Sequence, residues 1–169
     1  MWIAIAVILP GCNNMDLQHF ADRSPPLKLE EYFVGDIEAW GLFVDRFGNV
    51  RREFKVDIKG SFDGETLELV EHFLFADGEK DTRIWKIVPL ENGRYEGRAD
   101  DVVGVANGAV LGNALHWEYD VDMTIGGRSW RVHFDDWMFQ QDERTLINRA
   151  TVSKFGLTIG EVVIFFRRV

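Results

Sequence analysis

Short runs of alternating apolar and polar residues, separated by Asx-Gly pairs, recur through most of the chain and leave little length for anything but strands. In Val50–Lys59, Val50, Phe54, Val56 and Ile58 share one face, while Arg51, Glu53, Lys55, Asp57 and Lys59 share the other. That is the pattern of an antiparallel strand with one buried face. Leu115–Met123 alternates the same way, with His116, Glu118, Asp120 and Asp122 on its polar side. Asp63-Gly64, Asp77-Gly78 and Asn92-Gly93 each stand where a hairpin must turn, and both residue types tolerate the positive φ that tight turns require. Strands are expected at Asp36–Asp45, Val50–Lys59, Thr66–Ala76, Thr82–Val88, Arg94–Ala99, Leu115–Met123, Ser129–Phe139, Leu146–Lys154 and Ile159–Arg168. About nine strands in sequence order, with no long helix, point to an all-β fold: an antiparallel up-and-down barrel that closes on itself and so has no free edges.

A chain of 169 residues is long enough for one domain with a substantial core. Its net charge of -9 argues against nucleic acid as a partner, because phosphate binding draws on clustered basic side chains. Cys12 is the sole cysteine, so neither an intramolecular disulfide nor a cysteine-based zinc site can form.

The surroundings of Cys12 are distinctive. Trp2–Leu9 is almost wholly apolar and runs into Leu9-Pro10-Gly11-Cys12, after which the chain turns polar at Asn13. This resembles the end of a bacterial lipoprotein signal peptide, with leucine three positions before the cysteine and a small residue next to it. The resemblance implies lipidation of Cys12 and, with Asn13 following, an anchor in the outer membrane facing the periplasm. Pro10 and the missing basic n-region depart from the pattern, and an ordinary buried strand or helix ending in a turn is the alternative. The run is too short to cross a bilayer as a permanent helix. The expected organisation is a signal segment over 1–12, a polar tether over 13–26 ending in Ser24-Pro25-Pro26, and a barrel over 27–169. Leu27–Phe33 suits a short N-terminal helix capped by Ser24, serving as a plug or lid.

Several scattered segments together suggest a family: Tyr32-Phe33-Val34-Gly35, Asp45-Arg46-Phe47-Gly48, Gly112-Asn113-Ala114, Phe134-Asp135-Asp136-Trp137-Met138, Asn148-Arg149 and Lys154-Phe155-Gly156. In combination they resemble the bacterial lipoprotein family called domain of unknown function 3833, over nearly all of Leu27–Val169. The resemblance implies a lipocalin-like envelope lipoprotein and carries no established activity.

The strongest candidate site lies in Ser129–Phe139. Trp130, Val132, Phe134 and Met138 share a face by the period of two, and Asp136 falls among them. A carboxylate on an apolar face must find a donor or keep a proton, since burying it unpaired costs several kcal/mol. Arg46 or Arg149 is the expected partner, and the alternation leaves open whether Asn148 or Arg149 points inward. Asp135 points to the opposite face, so the two acids form no dyad. A filled barrel makes this a salt bridge that fixes register. An unfilled one makes it a polar anchor for the head of a hydrophobic or amphipathic ligand, with Arg46, Trp117, Phe134, Asp136, Met138 and Arg149 as the binding set.

Gly104–Asn113 suits a flexible apolar loop over the barrel mouth; its glycine spacing fits no nucleotide fingerprint. His72, His116 and His133 fall on different strands without metal-ligand spacing, and no serine sits in an elbow motif. No cofactor or metal is expected. The sequence therefore leaves three readings: a lipid-anchored binder of a small hydrophobic molecule or lipid, a filled barrel with a structural role and a protein partner, and a barrel enzyme using Asp136 as acid or base.

Overall fold

A computed structural model describes residues 15–125 and 128–169. The apolar run at Trp2–Leu9, Cys12 and the Gly126-Gly127 turn lie outside the described residues. Ten strands form one closed antiparallel barrel in which each pairs with its sequence neighbours and the first pairs with the last. They are β1 (Gly35–Asp45), β2 (Val50–Phe62), β3 (Leu67–Phe75), β4 (Lys80–Pro89), β5 (Arg94–Arg98), β6 (Val102–Leu111), β7 (Ala114–Ile125), β8 (Arg128–Gln140), β9 (Thr145–Lys154) and β10 (Leu157–Arg168). The up-and-down topology is the one expected from the alternation.

The additional strand is β6. The Gly104–Asn113 segment, expected as a loop over the mouth, pairs with both β5 and β7, with a bulge between Val103 and Asn107. Its small residues have a packing reason instead: a Cβ on Gly108 would overlap Trp117 of the neighbouring strand. Gly41 of β1 has a reason of the same kind, because the Phe54 ring lies directly over it.

The two ends of the barrel differ. The β2–β3, β4–β5, β6–β7 and β8–β9 connections share one end with α1 (Leu29–Tyr32), which plugs it. Lys28 stands at the helix N-cap without capping the backbone, its Nζ donating to Glu31 Oε1 at 2.6 Å instead, so Ser24 is not the cap that was expected. Tertiary bonds hold the plug instead. Leu27 N donates to Gly112 O at 2.8 Å, Tyr32 OH donates to Arg144 O at 3.0 Å, and Tyr95 OH donates to Glu30 Oε2 at 2.8 Å. Leu29, Phe33, Ile37, Leu67, Leu115 and Leu146 are buried beneath it. Residues 15–26, expected as a tether, include a 3-10 turn at Leu17–Phe20, and Phe20 packs on Trp137 and Phe139 of the outer wall at ring separations of 6.0 and 5.3 Å.

Gly60 is where plug and barrel meet most closely, since a Cβ there would overlap the Phe33 carbonyl oxygen. Gly60→Ala is therefore expected to cost about 1–3 kcal/mol, through displacement of α1 rather than loss of a strand. Urea unfolding checks the magnitude, and unchanged stability would show that the plug does not bear on β2.

The opposite end, formed by the β1–β2, β3–β4, β5–β6, β7–β8 and β9–β10 connections, carries no helix among the described residues and is the mouth.

Candidate functional site: a polar group inside an aromatic barrel

On the mouth side of the inner face Phe43, Phe54, Phe73, Phe134 and Val162 point inward by strand parity yet are only partly buried. Val102, Val121, Val132 and Val152, equally far towards the mouth, are buried. The partly exposed rings therefore gather on the β1, β2 and β3 side of the lumen, with Phe134 facing them from β8.

Midway along the barrel stand Trp85 and Trp117, stacked with centroids 5.2 Å apart. Gly97 on β5 makes room for them, since a Cβ there would lie 3.0 Å from Trp117 and 3.1 Å from Trp85. Tyr119 meets both indoles edge-on and stacks on Phe134 at 5.3 Å.

Asp136, 4% exposed, sits in β8 opposite Trp117 on one side and Ala150 on the other. Tyr119 OH donates to Oδ2 at 3.0 Å, and Asn148 Nδ2 donates to Oδ1 while also reaching Trp137 O at 3.0 Å. Asp136 is therefore held by neutral side chains, Tyr119 and Asn148, with the Trp117 indole beside them. Arg149 projects from the outer wall and pairs with Glu161 at 2.5 Å, while Arg46 lies in the β1–β2 turn over the Phe47 ring. Neither is the partner expected for Asp136. The parity left open by the sequence resolves in favour of Asn148, which is buried. Desolvation pushes the Asp136 carboxyl above the usual carboxylate range, against the hydrogen bonds that favour its charged form. The Tyr119 hydroxyl is pushed well up by the same burial and by the neighbouring acid.

Next to this pair lie groups that the sequence reading passed over. Glu71 of β3 stands directly across from Arg83 of β4. The Arg83 Nε donates to Asp101 Oδ1 at 3.0 Å and its guanidinium lies 4.5 Å from the Trp85 ring centre, yet its Nη2 is buried with no hydrogen-bond partner. Trp117 Nε1 is buried too and makes no hydrogen bond of normal geometry, but it lies near enough to the Asp136 carboxylate to favour its charged form. Burial pushes the Glu71 carboxyl up to about 7, opposed by Arg83 and reinforced by Asp101 and Asp136. A signal for Glu71 exists in the sequence, because it shares a parity with Leu67, Leu69, Phe73 and Phe75. Arg83 likewise shares one with Trp85 and Ile87.

Of the expected binding set, Trp117, Phe134, Asp136 and Met138 come together on the inner face, while Arg46 and Arg149 do not join them. On the outer wall His116, Glu118 and Asp135 offer ligand atoms within 4.8 Å of one another. These groups already satisfy each other: His116 Nε2 lies 3.0 Å from Asp135 Oδ1, which also accepts from Trp137 Nε1 at 3.0 Å.

This arrangement is compatible with binding: apolar rings form walls, and the buried Arg83 Nη2 lies among them without an acceptor. Over residues 6–168 the chain matches the model of the family described as "Protein of unknown function (DUF3833)". The chain belongs to that family. No curated protein matches it. For this member of the family, chemistry must therefore be argued from the lumen itself.

Proposed function

We propose that this protein is a lipid-anchored envelope carrier that holds a small hydrophobic or amphipathic molecule in the mouth half of its barrel. The observation that carries the reading is the buried, unpartnered donor Arg83 Nη2 beneath partly exposed inward-facing rings. A buried donor left unsatisfied costs about 1–3 kcal/mol, a cost that an oxygen-bearing head group would relieve. The tail would lie on Phe54, Phe73 and Phe134. Anchoring through a lipidated Cys12, with the barrel facing the periplasm, follows from the resemblance of Leu9–Cys12 to a lipoprotein signal end.

Native mass spectrometry of the membrane-extracted full-length protein tests both parts. The expected result is a diacyl or triacyl mass on Cys12 together with a co-purifying small molecule. In solution, 11-(dansylamino)undecanoic acid is expected to bind the lumen, and Arg83→Met to weaken it at least tenfold, about 1.4 kcal/mol. A lipidated protein that takes up neither a cellular molecule nor the probe would overturn the carrier reading.

A second reading has its own observation. Leu42, Val163 and Phe165 are exposed side by side on the outer wall of β1 and β10, and Trp40 packs on Phe165 at 6.1 Å. Such a stripe suits a protein partner in the envelope. An empty barrel co-purifying with another polypeptide would favour it.

A further inference from the structure

The mouth has a rim whose composition the lumen does not explain. Phe155 is 93% exposed at the tip of the β9–β10 hairpin, followed by Leu157 at 66%, and Phe47 is 74% exposed at the neighbouring β1–β2 turn. Phe155 is also in the left-handed region at φ 51, an unfavourable conformation for a bulky side chain, and its turn partner Gly156 is at φ 77. A ring held out in water on a strained backbone has no packing reason inside the chain.

These hairpins are neighbours. β1 pairs with β10, and Arg46 N donates to Ile159 O at 3.0 Å, so the β9–β10 tip stands above the β1–β2 turn. The cations of the rim lie on rings. Arg46 is 4.8 Å from the Phe47 ring centre, and Lys154 is 3.4 Å from that of Trp130 and 5.2 Å from that of Phe155. At these two tips Arg51 is taken up by Asp45 at 2.6 Å, which leaves Arg46 and Lys154 as their free cations among the described residues, while the acids of this end, Asp77, Glu79, Asp100 and Asp101, stand on the β3–β4 and β5–β6 connections. Apolar tips backed by snorkelling cations suit the boundary between lipid head groups and acyl chains.

We propose that the β1–β2 and β9–β10 tips seat the barrel mouth on an anionic phospholipid surface, with Phe47, Phe155 and Leu157 inserted and Arg46 and Lys154 at the level of the phosphates. This deepens the carrier reading, on which it rests for its purpose, by giving the cargo a direct path between bilayer and lumen.

Hydrogen–deuterium exchange of the full-length protein tests it, measured in mild non-ionic detergent and on vesicles of phosphatidylethanolamine and phosphatidylglycerol at 3:1. Amides of residues 45–50 and 154–157 are expected to slow at least fivefold on the vesicles, while those of residues 63–66 and 141–145 at the plugged end stay unchanged. The double variant Phe47→Asp, Phe155→Asp should lose the rim protection and keep the plugged end intact, since aspartate tolerates the left-handed region. Equal rim exchange in the two settings, protection of both ends alike, or protection surviving in the double variant would overturn docking. The same protection on pure phosphatidylcholine would overturn the anionic assignment. Rim protection in a protein that never takes a lumenal ligand would leave docking standing without the carrier, and a filled lumen with an unprotected rim would do the reverse.

Discussion

Asp136→Ala is expected to destabilise the protein by about 3–5 kcal/mol, whereas Asp136→Asn should stay within about 1 kcal/mol of the parent. Alanine strands the Tyr119 hydroxyl and the Asn148 amide, both of which donate to this carboxylate inside the barrel. It also opens a gap beneath Trp117, the cross-strand neighbour. Asparagine keeps the shape. Its carbonyl can accept from Asn148, and the Tyr119 hydroxyl can rotate to accept from the new amide. Because burial already disfavours the charged carboxylate, the neutral isostere gives up little. The alanine variant should lower Tm by roughly 10 °C or more, at about 2–4 °C per kcal/mol for a chain of this size. Equal unfolding midpoints in urea for the two variants would refute the account of Asp136 as the acceptor at the centre of a neutral network.

How far the sequence reveals this site follows from what alternation can and cannot encode. Parity along Ser129–Phe139 places Asp136 inward with Phe134 and Met138, because a period of two leaves a strand no other choice. Parity on one strand says nothing about which neighbour meets it. The pairing of Asp136 with Asn148 and Tyr119 depends on the β7–β8 and β8–β9 registers, which turn length and packing fix after the strands align. Charge pairing suggested an arginine, but both arginines named for that role are better placed elsewhere: Arg149 meets Glu161 on the wall, and Arg46 stays in its turn.

Gly104–Asn113 misled for a related reason. Glycine and alanine lower strand propensity, so a segment rich in them looks like a loop until the partner that needs the space is known. Here the partner is Trp117. The plug was legible in place but not in chemistry. Its cap is absent, and bonds to Gly112 and Arg144, far along the chain, take over. The rim was legible only as the Asp45-Arg46-Phe47-Gly48 segment; that its ring is exposed beside Phe155 depends on β1 meeting β10, the closure itself.

Closure also gives the lumen a pH dependence that can be signed in advance. The Glu71 carboxyl, ordinarily near 4.5, is pushed up to about 7 by burial, with Arg83 opposing the shift and Asp101 and Asp136 adding to it. Between those two values the folded protein holds a proton that the unfolded chain has released. Its contribution to stability is therefore fully present below pH 4.5 and is lost as pH rises through 7, a full change of about 3 kcal/mol. Asp136 shifts in the same direction. Asp45, held down to about 2 by the Asn49 amide and Arg51, acts oppositely, and only as pH falls below the ordinary aspartate range. Tm should accordingly be higher near pH 5 than near pH 7.5, by roughly 5–10 °C. Glu71→Gln should flatten most of that slope, and an unchanged slope in the variant would remove Glu71 as its source. The same proton bears on binding. While Glu71 is neutral, the free Nη2 of Arg83 across the strand is available to an acidic head group; once Glu71 ionises it competes for that arginine. Affinity for 11-(dansylamino)undecanoic acid is expected to fall as pH rises through 7 in the parent and to change little in Glu71→Gln.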